Sequence, residues 1–163
     1  MNLLELPVVA RTRRNHGLEH ATVHVLTQRS PHRHLIGRST AEGFFIYGEL
    51  DTEELAEAAS EALARLQAGE RGLAIHPRCG TNIVVAGVLT GLTSLLAWGG
   101  RGRWWFKLPR LILATTAAVV AAQPLGFLVQ EHITTSPDLN GVAIRGITRG
   151  QFGGTPVHFV QIG

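Results

Sequence analysis

Ile83-Val-Val-Ala-Gly-Val-Leu-Thr-Gly-Leu-Thr-Ser-Leu-Leu-Ala-Trp98 holds sixteen residues without one charged side chain, and the architecture turns on it. As a helix it measures about 24 Å, short of the roughly 20 residues that cross a bilayer core, so tilt or the flanking Thr81 and Asn82 must make up the length. A second uncharged run, Leu111 to Val129, has nineteen residues and is long enough alone. Gln123 and Pro124 inside it are tolerated where neighbouring groups satisfy the freed backbone. Between the runs, Gly99-Gly-Arg-Gly-Arg-Trp-Trp-Phe-Lys-Leu-Pro-Arg110 combines turn glycines, interfacial aromatics and four cations, the composition of a tight loop at a headgroup surface. A transmembrane helical hairpin over residues 83–130 is therefore expected. Gly87 and Gly91 form a GxxxG pair, and Ala114, Ala118 and Ala121 offer small faces on the second helix for close approach. The alternative is two buried helices of a soluble bundle, which polar residues at helical period would mark.

The rest of the composition fits this division. The chain has 163 residues, 45% hydrophobic and 17% charged, which excludes a disordered tail protein. A formal charge of +3 suggests nucleic acid at first sight. Once Arg101, Arg103, Lys107 and Arg110 are assigned to a membrane flank, nothing favours that partner; the lipid bilayer is the expected one. Met1 to Ala10 does not read as a secretory signal, because it contains Glu5 and Pro7 and its arginines follow the apolar stretch. Two passes with cytoplasmic termini are expected, since about 80 residues would otherwise have to be exported, although the cationic loop argues for the opposite side.

On either side of the hairpin the pattern is that of a water-facing α+β module. Asn15 to Gln28 reads as a helix with Asn15 as N-cap and Arg29-Ser30-Pro31 as its stop. His32 to Ser39 and Gly43 to Leu50 read as a β-hairpin around Thr40-Ala41-Glu42. Asp51 or Thr52 caps a helix over Glu53 to Gln67, whose Leu55, Ala59, Ala62, Leu63 and Leu66 make one apolar stripe. Gly69 ends it, and Leu73 to His76 is expected to be a short strand. The fold class is thus α+β: an α-β-β-α-β sandwich over residues 1–82, the hairpin, and a C-terminal β-hairpin over 131–163. That last pair, Gly141 to Thr148 and Thr155 to Ile162, can extend the same sheet.

Two motifs carry the chemistry. His16-Gly17-Leu18-Glu19-His20 is an HxxEH sequence, and on a helix His16 and His20 lie one turn apart on one face, so both imidazoles can reach one ion, with Glu19 beside them. This is the inverted-zincin arrangement, in which the glutamate takes a proton from the attacking water. Such a match arises by chance about once in fifty sequences of this composition. His24 continues the stripe, with a half-buried histidine bonded to backbone as the simpler reading. The second motif, His76-Pro-Arg-Cys79-Gly-Thr-Asn82, places the single cysteine three residues after a histidine across a tight bend, a metal-ligand spacing. Four closed ligands would make a structural Zn²⁺ site; three and a water would make a catalytic one. Thr81 and Asn82 are expected to cap the first membrane helix. His32, His34, His132 and His158 have no paired spacing and read as surface histidines, and Arg11, Arg13 and Arg14 as a solvated basic patch.

With Asn-His-Gly-Leu-Glu-His20 and His76-Pro-Arg-Cys-Gly-Thr81 together, the chain resembles the YqhQ-like group of small bacterial membrane proteins, described as predicted metal-dependent enzymes. The resemblance covers Arg13 to Trp98, although only two spans are visible here. More loosely, the HxxEH helix is similar to the pitrilysin-like peptidases, which would imply His16 and His20 as ligands and Glu19 as base. Those enzymes take a glutamate as third ligand, and no motif here matches it.

The expectation is a membrane-anchored zinc hydrolase, peptidase-like, with His16, His20, His76 and Cys79 around the metal and Glu19 as general base, acting on a peptide or membrane-protein substrate. The rival is a non-catalytic metal-stabilised scaffold or a subunit of a larger membrane complex. A third possibility is a soluble apolar domain without metal.

Overall fold

A computed structural model of the chain describes residues 3–99 and 103–163. Arg101 of the cationic loop lies outside the described residues. The chain divides into two compact units, one formed by residues 1–76 with 131–163 and the other by 77–130.

The first unit opens with α1, Pro7–Arg29. Its start is eight residues earlier than the capping pattern suggests, because Pro7 supplies the first helical position and Ala10 N–H already bonds the Leu6 carbonyl at 2.8 Å. Asn15 is therefore no cap. It is buried in mid-helix, and its amide donates to the Thr40 carbonyl at 2.8 Å, tying α1 to the turn between β1 (Ile36–Ser39) and β2 (Gly43–Tyr47). The helix α2 (Thr52–Gln67) is capped as its sequence demands: Asp51 Oδ1 accepts the Glu53 N–H at 2.8 Å, a contact worth about 1 kcal/mol.

The expected strand at Leu73–His76 is not one. Arg71–Ala74 forms a 3₁₀ turn, so the order before the second unit is α-β-β-α. The reason is a long-range one: the carbonyls of Ala74 and Ile75 accept hydrogen bonds from the rings of His20 and His24 on α1 in place of a strand partner. The sheet is completed from the far end of the chain. β3 (Ile144–Phe152) and β4 (Thr155–Ile162) form a hairpin, and β4 pairs with β2, giving a four-stranded antiparallel sheet of order β1-β2-β4-β3. Register places Phe44 opposite Val160 and Ile46 opposite His158. These four are buried and pack towards Leu18, Val25 and Leu26 of α1 and Leu55 of α2, while Phe45, Tyr47 and Phe159 occupy the other, half-open face.

His158 thus corrects the reading of it as a surface residue. Strand alternation puts it on the inner face with Val160, its Nε2 lies 3.0 Å from Thr52 Oγ1, and Nδ1 has no partner among the described residues. Burial pushes its pKa below the usual histidine range, the Arg149 cation adds to this, and Asp51 opposes it. Between the folded value and the ordinary value near 6.5, the unfolded chain binds more protons, so this residue's contribution to stability is present above about pH 6.5 and is lost as pH falls through the folded value. We expect the melting temperature of a His158→Gln variant to fall less steeply than that of the parent between pH 7 and 5. Parallel slopes would disprove it.

The second unit is a helical pair, α3 (Gly80–Trp98) and α4 (Trp104–Val129), both long and apolar enough to cross a membrane. Large side chains such as Leu96 and Phe106 are about four-fifths exposed, at 78% and 81%, and the buried positions of α4 are the small Ala118, Ala122 and Gly126. Gly87 and Gly91 are exposed with no atom within 4 Å of an added Cβ, so the GxxxG pair is not the packing seam. The close approach is at Gly126, where a Cβ would lie 2.3 Å from Asn82 Oδ1. Buried Gln130 donates to that same oxygen at 2.8 Å, and Asn82 Nδ2 donates to the Pro77 carbonyl at 2.8 Å. Arg110 and Lys107 donate to the carbonyls of Ala97 and Trp98, so two of the four loop cations satisfy the C-terminus of α3. In the chain, α4 is followed by a π-helical turn, Gln130–Thr134.

Candidate metal centre

One turn of α1 carries the HxxEH sequence, and its surroundings fix each side chain differently. His16 Nδ1 lies 2.9 Å from the Thr134 carbonyl, His20 Nδ1 2.8 Å from that of Ala74, and His24 Nε2 2.9 Å from that of Ile75. A carbonyl oxygen can only accept, so each of these ring nitrogens carries the proton. In the neutral rings the lone pair is therefore on Nε2 of His16 and His20, and on Nδ1 of His24. This is the orientation device of metal-ligating histidines, whose remote nitrogen is tied to a backbone or carboxylate acceptor.

The rings form a row. His16 and His20 meet edge to face with centroids 4.3 Å apart, His20 and His76 are at 5.7 Å, and His76 and His24 at 4.8 Å. A coordinating nitrogen of His16 lies within 4.8 Å of one of His20. Two nitrogens on one tetrahedral zinc are about 3.3 Å apart, so a small side-chain rotation brings this pair onto an ion. His24 is half-buried and bonded to backbone, as the simpler reading of its position expects; His32, His34 and His132 are exposed.

Glu19 is buried, and Ser39 Oγ donates to its Oε2 at 2.5 Å. Its carboxylate rests against β1 at Gly37, where a Cβ would lie 2.0 Å from Oε1. Burial raises its pKa, while the Ser39 hydrogen bond and the charge of His16 pull it down. A carboxylate raised by desolvation holds a proton more readily, which suits a general base or acid.

Gly17 explains why the motif has a glycine in mid-helix. A Cβ there would lie 2.4 Å from the Ser136 carbonyl oxygen, so the glycine lets the segment after the π turn lie against α1. The same segment is bound by Ser136 N–H to the Arg13 carbonyl at 2.9 Å and by Arg13 Nη2 to the His132 carbonyl at 3.1 Å. Arg13 is accordingly half-buried and not simply part of a solvated patch. These contacts, and those of Ser39 and Gly37, are absent from the motif reading; the only local signal was Gly17, since glycine inside a helix costs about 1 kcal/mol and needs a reason.

Cys79 belongs to the second unit and is the N-cap residue of α3, in place of Thr81 or Asn82. Its sulfur accepts the Thr81 N–H at 3.4 Å and is buried. A backbone N–H aimed at sulfur at a helix N-terminus suits a thiolate ligand. Back in the first unit, a pocket of about 140 Å³ is lined by Arg71, Ala74, Ile75, Glu131, Thr135 and Pro137, and so shares backbone with the carbonyls that hold His20 and His24.

The chain belongs to a family described as a domain of unknown function, DUF6391, whose profile matches residues 11–147. It is similar to an uncharacterized protein of Picosynechococcus sp., with 40% identity over 161 residues that cover 92% of this chain and 78% of the relative. No solved structure matches it.

Proposed function

We propose that this DUF6391 protein is a membrane-anchored, zinc-dependent hydrolase, peptidase-like, with His16, His20 and Cys79 as metal ligands, a fourth position left open, and Glu19 as general base. The observation that carries the reading is the pair of imidazoles on one helical face, each with Nδ1–H given to a backbone carbonyl, so that in the neutral ring the lone pair is on Nε2. Cys79 enters through the backbone N–H aimed at its sulfur at the N-terminus of α3. His76, whose spacing suggested a further ligand, has its ring nearer that of His24 than that of His20. Three ligands of this N/S kind suit Zn²⁺ and leave room for chemistry. Such an ion, when bound, supplies Lewis acidity and makes water acidic enough to attack at neutral pH. Glu19 takes the proton of the attacking water, held in place by Ser39, and the pocket beside Ala74 and Ile75 receives part of a peptide or other membrane-proximal substrate.

The helices α3 and α4 anchor the protein as a two-pass hairpin, with both termini cytoplasmic. The resemblance of both motifs to the YqhQ-like group supports the metal reading.

A Glu19→Gln variant tests the mechanism. It is expected to retain stoichiometric zinc and to lose peptide turnover by about 10²- to 10⁴-fold, the usual share of a general base. The second reading, a metal-stabilised scaffold or complex subunit, is favoured by the packing of Glu19 against Gly37 and Ser39. In that case the parent shows no turnover, and Glu19→Gln changes thermal stability alone.

A further inference from the structure

We propose that the N-terminal end of α1 is a docking surface for the anionic face of a lipid bilayer, a membrane contact separate from the helical hairpin. The proposal rests on the membrane-anchored reading above and is independent of the metal. α1 starts at Pro7, yet it buries no residue before Asn15. Two turns thus extend past the core, and their own composition does not favour a helix: Val8, Val9 and Thr12 are β-branched, and a free helix this short is marginal in water. What projects from this end is large and apolar. Leu3, Leu6 and Val8 are 66%, 38% and 59% exposed, and Pro7 is exposed beside them. Thr12 keeps its hydroxyl proton within the helix, donating to the Val8 carbonyl at 2.8 Å.

Charge decides what covers this surface. Pro7, Arg11 and Arg14, four and three residues apart, fall on one helical face with Val8 at its side. Arg13 points elsewhere, its guanidinium donating to the His132 carbonyl at 3.1 Å. Arg11 and Arg14 take part in no ion pair or side-chain hydrogen bond among the described residues, whereas Arg29, Arg33 and Arg65 are all paired with glutamates. Against three arginines the segment sets one carboxylate, Glu5. At 1.5 Å per residue, Arg11 and Arg14 stand about 4.5 and 9 Å further along the axis than Val8. Interfacial helices bury their apolar groups about 5–10 Å deep, so with Leu3, Leu6 and Val8 in the acyl boundary both guanidiniums reach lipid phosphates. A second copy meeting this end about a two-fold axis would instead bring like charges together. The termini are cytoplasmic in the reading above, the side on which anionic lipid is enriched.

Hydrogen exchange over residues 3–14, measured on the full-length protein in nanodiscs holding one chain each, tests this. Discs of phosphatidylcholine with phosphatidylglycerol are expected to slow exchange at least about tenfold against discs of phosphatidylcholine alone, each cation near an anionic surface being worth about fivefold. The slowing should disappear in 1 M salt, where the screening length is about 3 Å, and in the Arg11→Gln/Arg14→Gln variant. Leu3→Ser/Val8→Ser should reduce it as well. Unchanged exchange in the buried middle of α1, from Gly17 to Leu26, shows that each variant is folded. Equal exchange in the two kinds of disc, slowing that survives the arginine substitutions, or slowing in detergent that grows with protein concentration, as a second copy would give, would each overturn the docking surface and leave the hairpin anchor standing. A chain that stays in water and enters neither disc would overturn the anchor too.

Discussion

A His20→Ala variant is expected to emerge from purification without stoichiometric metal, with affinity for zinc lowered at least about 100-fold. Two losses combine in it. The ring that offers Nε2 disappears, and so does the donor to the Ala74 carbonyl, which is then left buried and unsatisfied at a cost of about 1–3 kcal/mol. The second loss separates His20 from His16, which is half-buried and donates to the Thr134 carbonyl nearer the surface. His16→Ala should therefore remove the metal as effectively and cost less in the melting temperature of the metal-free protein. Metal analysis together with thermal unfolding of both variants with and without chelator checks this. If His20→Ala kept a full complement of zinc, the HxxEH turn would not be the metal centre.

Much of the arrangement around that turn was legible in the chain because it depends on local pattern. The Asp51 cap and the apolar stripe of α2 need only their own residues, and so do the two uncharged runs. Alternation suggested that the C-terminal strands extend the sheet, and they do so through β4, which pairs with β2 over Gly43 to Tyr47. What was not legible depends on partners far away in sequence. Leu73 to His76 has strand composition, but its carbonyls are claimed by two imidazoles about fifty residues earlier. Asn15 resembles a cap because Asn is good at one, yet its amide serves the Thr40 carbonyl and the helix runs through it. His158 read as a surface residue because it has no paired spacing with another histidine; its register opposite Ile46 decides its burial. In the same way His16 is anchored by Thr134, 118 residues away, across a chain segment that no periodicity could have placed there.

That anchoring gives the second large effect. Gly17→Ala would be stabilising on an ordinary helix surface, by about 1 kcal/mol, since alanine is the better helix former and restricts the unfolded chain. Here the sign reverses. The new Cβ would stand 2.4 Å from the Ser136 carbonyl oxygen, and the atom that must give way is backbone. Overpacking of this kind costs roughly 1–3 kcal/mol, and more where a backbone segment must move, so the net expectation is a loss of about 2 kcal/mol. The displaced segment is the one whose Thr134 carbonyl orients His16 and whose Ser136 N–H bonds the Arg13 carbonyl. Weakening it frees the His16 ring to change tautomer and direction, and zinc affinity is expected to drop 10- to 100-fold although no ligand has been touched. Serine at the same position should be no better than alanine, because the overlap is set by Cβ itself. The measurement is a pair of zinc-binding isotherms and melting curves for Gly17→Ala against Gly72→Ala, a glycine where an added Cβ meets nothing within 4 Å. If Gly17→Ala bound zinc as tightly as the Gly72 control, the 132–136 segment would have no part in holding His16.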